Sequence, residues 1–204
     1  MERQMRVIGL TGGIGMGKST AATAFRRAHI PVFDADATVH RLQAPGGRAL
    51  RAIAATFPRA VRTDARDRPV LDRAALRDIA LADPGALRRL EQILHPMVYE
   101  EARAFLARAR RARARIAVLD IPLLFETGGR IRTDLVLVVS APASVQINRV
   151  ARRRRMDPAQ VRAVLARQMP DAEKRRRADV VVRTGLSKHH ALRAIRRLIR
   201  RLRG

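Results

Sequence analysis

An α/β fold with a parallel sheet covered on both faces is the class this sequence predicts, and three observations predict it. A short apolar run, Val7-Ile8-Gly9-Leu10, leads into a glycine-rich loop and then a helix-forming stretch. Two later runs, Ile116 to Ile121 and Leu135 to Val139, are continuously apolar, without the alternation of a half-exposed strand. Helical patterns separate these runs, which is the order that winds helices onto a parallel sheet.

Taken in order, Arg6 to Leu10 reads as a buried strand and Ser19 to Ala28 as a helix. Ile30 to Asp34 reads as a second strand and closes a βαβ unit. Ala44-Pro45-Gly46-Gly47 is a break, followed by helical patterns over about 47–57 and 72–82. Asp83-Pro84 pairs a capping residue with proline at the first helical position, so another helix starts there. His95-Pro96 is expected to interrupt it, with a long Ala/Arg helix running from Pro96 to about Arg113. Ile116 to Ile121 and Leu135 to Val139 are the third and fourth strands. Asp157-Pro158 repeats the capped start, and Val180 to Val182 is a short fifth strand. Ser187 caps a terminal helix that places Leu192, Ile195, Leu198, Ile199 and Leu202 on one side, the pattern of a helix docked on a sheet. No repeat or long linker is visible.

The composition narrows the chemistry. The chain has 204 residues and a 47% hydrophobic fraction, with only 3% aromatic, so the core must be built from Ala, Val, Leu and Ile. It has no cysteine, which excludes disulfides, thiolate metal sites and a cysteine nucleophile, and suits a cytoplasmic location. No apolar stretch approaches the roughly 18 residues of a membrane span, and no leader is apparent at the start of the chain. The formal charge of +25 is the footprint expected of a polyanion-binding protein. The arginines are spread over the whole chain, however, and no aromatic residues interleave with them as stacking platforms. Weak, incidental electrostatic binding of nucleic acid is the expectation, with no membrane partner and a monomer or loose homo-oligomer.

Of the 43 Lys+Arg residues only three are lysine: Lys18, Lys174 and Lys188. Lys18 falls in Gly12-Gly13-Ile14-Gly15-Met16-Gly17-Lys18-Ser19, which fits G-x-x-x-x-G-K-[ST]. A strand precedes this motif and a helix follows it, the context the pattern needs. Backbone N–H groups of Gly13, Ile14, Gly15, Met16, Gly17, Lys18, Ser19 and Thr20 are the candidates to cradle phosphates, reinforced by the positive end of the helix. Lys18 supplies a compact ammonium between the β- and γ-phosphates, where a planar guanidinium fits poorly. The Ser19 hydroxyl is the candidate Mg²⁺ ligand.

Asp34-Ala35-Asp36 ends the second strand, and parallel strands bring their carboxyl ends to one edge. A carboxylate there can take a proton from an acceptor hydroxyl or hold Mg²⁺ through water. Either aspartate can also cap the next helix. Asp36 is preferred over Asp34 as the base. Asp120 ends the third strand at the same edge, and two readings stand: a metal-side acidic residue or a capping and salt-bridge role. Five arginines lie between Arg149 and Arg155. Such a segment can close over a transferring phosphoryl group, and it can equally be a solvated face. His95 has both a structural reading and a site reading.

With those residues in view, the chain resembles the dephospho-CoA kinase family. The likeness runs through Leu10-Thr11-Gly12-Gly13-Ile14-Gly15, Gly17-Lys18-Ser19-Thr20, Asp34-Ala35-Asp36, Ala44-Pro45-Gly46, Leu71-Asp72-Arg73, His95-Pro96, Asp120-Ile121-Pro122-Leu123-Leu124-Phe125-Glu126 and Gln168-Met169. The resemblance implies a P-loop NTPase-type three-layer sandwich with a five-stranded parallel sheet. It implies a core at about 1–43, 115–141 and 178–204, a helical CoA-binding lobe at about 44–114 and a helical lid at about 142–177. It implies ATP with Mg²⁺ as phosphoryl donor and dephospho-CoA, phosphorylated on its ribose 3′-hydroxyl, as acceptor, giving coenzyme A. It supports Asp36 as base and picks Arg149 and Arg153 from the lid. Asp34, Asp36, His95, Pro122 and Leu123 fall where it implies substrate contacts.

Two departures from the family pattern stand out. An Asp-Asn pair is usual after the fifth strand, where this chain reads Arg183-Thr184-Gly185, so an adenine-side contact there is put in question. The lid usually reads Arg-Asp-Gly-Met, where this chain has Arg153-Arg154-Arg155-Met156. The rival readings are a shikimate- or nucleoside-type kinase of the same fold and, from a different class, a nucleic-acid-binding NTPase.

Overall fold

The computed structural model describes residues 4–126, 131–154, 157, 161–162, 165 and 168–204, without the side chains of 153 and 154. The chain forms two compact units: Met1–Asp34 with Phe105–Gly204, and Ala35–Ala104.

The first unit is built on five parallel strands: β1 (Arg6–Thr11), β2 (Val32–Asp34), β5 (Ile116–Asp120), β6 (Leu135–Ser140) and β7 (Val180–Arg183). Their order across the sheet is β2-β5-β1-β6-β7. The central strands are apolar on both faces because both are covered. Ile8, Leu10, Val118 and Leu137 join one core with Ala21, Ala22 and Phe25 of α1 (Lys18–Arg27) and with Ile195 and Ile199 of the terminal helix. That core is made almost wholly of aliphatic side chains, as the low aromatic content requires. The register sets Leu10 beside Asp120 and Asp120 beside Asp34. Three strand ends therefore share the edge at which the chain leaves β1 for the glycine loop.

The second unit holds α2 (Ala35–Leu42), α3 (Leu50–Thr56), a hairpin of β3 (Val61–Thr63) and β4 (Pro69–Leu71), α4 (Arg73–Ala82) and most of α5 (Pro84–Arg111). Asp72 caps α4 by accepting from Ala74 N and Ala75 N, both at 3.0 Å. Asp83 caps α5 by accepting from Gly85 N at 2.7 Å and Ala86 N at 3.0 Å. Asp64 organises the hairpin turn by accepting from Arg66 N at 2.8 Å and Arg68 N at 3.0 Å. These backbone donors hold all three carboxyls below their usual pKa; the largest cause is Arg68 N at Asp64, Ala75 N at Asp72 and Gly85 N at Asp83.

The structure departs from the expected elements at α5 and at the hairpin. His95-Pro96 does not interrupt the chain: α5 is a single helix of 28 residues with Pro96 inside it. Proline removes one backbone donor and crowds the preceding turn, but the apolar stripe continues through it with Leu94, Val98, Ala102 and Leu106 all buried. The hairpin at 61–71 carries no expected strand, since each of its strands is only three residues long. Downstream come α6 (Ala143–Arg154), α7 (Asp171–Arg176) and α8 (Lys188–Arg203), the last capped by Ser187, whose Oγ accepts from His190 N at 3.0 Å. Of the helix expected from Asp157-Pro158, Val161 and Arg162 are helical; Pro158 lies outside the described residues.

Candidate active site

The glycine loop runs from Gly12 to Gly17, between the end of β1 and the start of α1. Its positive-φ glycines are conformationally required, Gly15 and Gly17 most clearly. Gly17 caps α1 in the left-handed region at φ 88°, and Gly15 has φ 74°. A Cβ on Gly15 would also come within 2.9 Å of both Gln146 O and Val150 Cγ2 of α6. The loop is tied internally, with Met16 N donating to Gly13 O at 3.2 Å and Gly13 N to Met16 Sδ at 3.1 Å. Ile14 N donates to Gln168 Oε1 at 3.2 Å. Lys18, Ser19 and Thr20 form the first turn of α1, where Thr20 N donates to Gly17 O at 3.0 Å and the helix dipole favours an anion.

Lys18 Nζ lies 2.6 Å from Asp120 Oδ1, with the carboxylate side chain only 4% exposed. The lysine is thereby held at the strand edge, extended toward the space beside the loop. The salt-bridge reading of Asp120 is met in this geometry, and its partner is the motif lysine itself. Ser19 is exposed. Asp34 pairs with Arg26 of α1 at 3.3 Å. Pro122 follows β5 and accepts from Thr11 Oγ1 at 2.9 Å through its carbonyl, next to the exposed Leu123. Lys18, Ser19, Asp34, Asp120 and Pro122 are thus grouped along one edge of the sheet.

Arg149 of α6 donates to Gly15 O at 3.3 Å, Thr184 Oγ1 at 3.3 Å and Thr184 O at 2.7 Å. Thr184 is buried and donates to Met16 O at 2.6 Å. Arg149 and Thr184 therefore hold the glycine loop through its carbonyls. The sequence singled out Arg149 for its charge, and Thr184 only as a departure from a family pattern. Their shared role was hidden because it rests on contacts more than 30 residues apart, which leave no periodic trace. Arg153 is four residues further along α6, and its side chain lies outside the described residues, as do Arg155 and Met156.

Asp36 and His95 belong to the second unit. Asp36 is exposed in the first turn of α2. His95 is half-buried, with its ring 6.0 Å from that of Tyr99. Among the described residues no group of three or more His, Cys, Asp or Glu could hold a metal ion. The exposed Ser19 and the Asp34 carboxylate at the same sheet edge are oxygen donors of the kind Mg²⁺ takes beside substrate phosphates and water.

A strand, a glycine loop with a left-handed cap and a helix bearing Lys-Ser at its start, at one edge of a parallel sheet ordered β2-β5-β1-β6-β7, define a protein of the P-loop class. The profile of the dephospho-CoA kinase family matches residues 6–188. A dephospho-CoA kinase from Paramagnetospirillum magneticum is 57% identical over 171 residues, covering 84% of this chain and 78% of its own length. One from Gluconobacter oxydans is 48% identical over 203 residues, covering 98% of both chains. A crystal structure from Thermus thermophilus superposes with a TM-score of 0.81 at 34% identity, covering 98% of this chain and 100% of that one. The chain belongs to the dephospho-CoA kinase family.

Proposed function

We propose that this protein transfers the γ-phosphoryl group of ATP to the ribose 3′-hydroxyl of dephospho-CoA, giving coenzyme A and ADP. The observation that carries the phosphate half of this reading is the glycine loop with Lys18 pinned at its mouth by Asp120, 2.6 Å away. Family membership carries the acceptor half.

In this reading Gly13 to Thr20 line the triphosphate, the backbone N–H groups not already bonded within the loop or to Gln168 donate to it, and the α1 N-terminus adds its partial positive charge. Lys18 exchanges Asp120 for phosphate oxygens, bridging β and γ. Ser19 would hold Mg²⁺, which neutralises phosphate charge when bound. Asp36 accepts the proton of the 3′-hydroxyl as that oxygen attacks the γ-phosphorus in line, and the bond to the β–γ bridging oxygen breaks with ADP leaving. Asp34, His95, Pro122 and Leu123 contact the acceptor. Arg149 and Arg153, one helical turn apart on α6, add positive charge to the transferring group. Positioning and electrostatics supply most of the rate gain, as is general for phosphoryl transfer. Residues 1–43, 115–141 and 178–204 then act as the core, 44–114 as the acceptor lobe and 142–177 as the lid.

Among the described residues no helix is long and apolar enough to cross a membrane, and we infer a cytoplasmic enzyme, monomeric or loosely associated, that binds nucleic acid only weakly through its net charge. An ADP-release assay with dephospho-CoA, shikimate and a nucleoside panel as acceptors tests the proposal. Dephospho-CoA should be the acceptor that stimulates release. Stimulation by shikimate or a nucleoside in its place would overturn it.

A further inference from the structure

We propose that Gln168 is a positioning residue for ATP, clamping the crown of the glycine loop, and that the ion pair between Glu126 and the buried Lys174 holds it there. Gln168 Oε1 accepts from Ile14 N at 3.2 Å across 154 residues of sequence. It is the described side chain that bonds a loop N–H from outside the loop. On the other side Arg149 and Thr184 hold Gly15 O and Met16 O. The loop is therefore gripped by two of its carbonyls, from α6 and from the residue after β7, and by an N–H from a third segment.

The segment carrying Gln168 is anchored at three points within four residues. Gln168 meets the glycine loop. Met169 N donates to Glu126 Oε1 at 3.1 Å, in the stretch that follows β5. Asp171 Oδ2 accepts from Ser140 Oγ at 2.9 Å, at the end of β6. A connecting segment needs no such fixing to three separate strands' ends. Glu126 Oε1 in turn lies 2.8 Å from Lys174 Nζ, whose side chain is 1% exposed. Among the described residues the buried ammonium makes no contact of hydrogen-bond geometry, and its hold on Glu126 is that of an ion pair. Lys174 is one of three lysines in a chain that otherwise uses arginine. A buried cation is costly unless paired, and this one pairs with the carboxylate that fixes Met169, the residue next to Gln168.

A loop that presents its N–H groups in one conformation binds phosphate without first ordering itself. Gln168 contributes to that order and touches neither proton nor phosphorus, so its loss should weaken ATP binding more than it slows chemistry. This rests on the reading of the glycine loop as the ATP site.

The test is calorimetric binding of a non-hydrolysable ATP analogue with Mg²⁺, alongside steady-state kinetics. Gln168→Ala should weaken analogue binding and raise KM for ATP by about five- to tenfold, the size of one hydrogen bond's net contribution. The KM for dephospho-CoA and kcat should stay within twofold. Gln168 is half-buried and makes a single described side-chain bond, so this variant should fold. Glu126→Ala combined with Lys174→Met removes both charges together and should weaken analogue binding by a similar factor. Added to Gln168→Ala it should weaken binding no further, because both act through one contact. Unchanged analogue affinity in Gln168→Ala would overturn the role of Gln168. Full additivity in the combined variant would overturn its coupling to the Glu126–Lys174 pair. Failure of the unaltered protein to bind the analogue would overturn the nucleotide reading itself.

Discussion

Replacing Lys18 by Met should damage stability and catalysis together, and a second substitution should separate the two. Methionine keeps the unbranched length of the lysine stem and removes the charge. In the nucleotide-free protein Lys18 Nζ sits 2.6 Å from Asp120 Oδ1, and Asp120 is only 3% exposed. Taking the cation away breaks this ion pair on a buried carboxylate. Such losses cost about 3–5 kcal/mol. The low end applies here, because the Lys18 side chain itself is 16% exposed and water already reaches the pair. For a chain of this length about 3 kcal/mol corresponds to a fall in Tm of roughly 6–12 °C. Adding Asp120→Asn to Lys18→Met replaces the buried carboxylate charge with a neutral amide and should recover most of that fall. Turnover should not recover, since the cation opposite the phosphates is still missing, and loss of one preorganised donor costs roughly 10²–10³ in kcat. Scanning calorimetry without nucleotide and a coupled kinase assay measure the two effects. A Tm for Lys18→Met within 2 °C of the unaltered protein, or no recovery in the double variant, would refute the reasoning.

Further outcomes follow from the same structure. Asp36→Asn should lower kcat by roughly 10²–10⁴ while leaving ATP-analogue binding intact; near-native kcat would remove Asp36 as the base. Gly15→Ala forces a side chain into φ 74° and to 2.9 Å from Gln146 O, so Tm should fall by roughly 3–6 °C and KM for ATP should rise in steady-state assays. The folded pKa values of Asp72 and Asp83 lie below the unfolded value of 3.8. Their capping contribution is therefore complete above that value and lost as pH falls through the lowered folded values. Circular dichroism melts of Asp72→Ala/Asp83→Ala should start lower at neutral pH and fall less steeply below pH 3.8 than those of the unaltered chain. Parallel curves would show that these caps do not set the acid limb.

How far the sequence foretold this molecule depends on the range of the interactions. The five strands and the glycine loop were readable because covered parallel strands must be apolar and a left-handed cap must be glycine, and both rules act locally. The helix through Pro96 was not readable. One proline removes one donor, and only the buried stripe of Leu94, Val98 and Ala102 shows that packing outweighs it. The hairpin at 61–71 escaped because its order comes from Asp64 gripping two backbone N–H groups, in strands too short to carry a pattern. At the site, Lys18 announced itself by being lysine, and Asp120 by ending a strand. Thr184, Gln168 and the pair Glu126–Lys174 act through contacts 43 or more residues apart, except for the Arg149–Thr184 bonds at 35. Lys174 did carry one legible sign, its rarity, the same sign that marked Lys18.

The most direct test of the account is where the phosphate lands. The protein is incubated with ATP, Mg²⁺ and dephospho-CoA, and the product is resolved by phosphorus NMR and mass spectrometry. The account predicts one new phosphomonoester on the ribose 3′-hydroxyl, formed in step with ADP and absent with Lys18→Met. A phosphate on another hydroxyl, or ADP formed while dephospho-CoA remains unmodified, would contradict it.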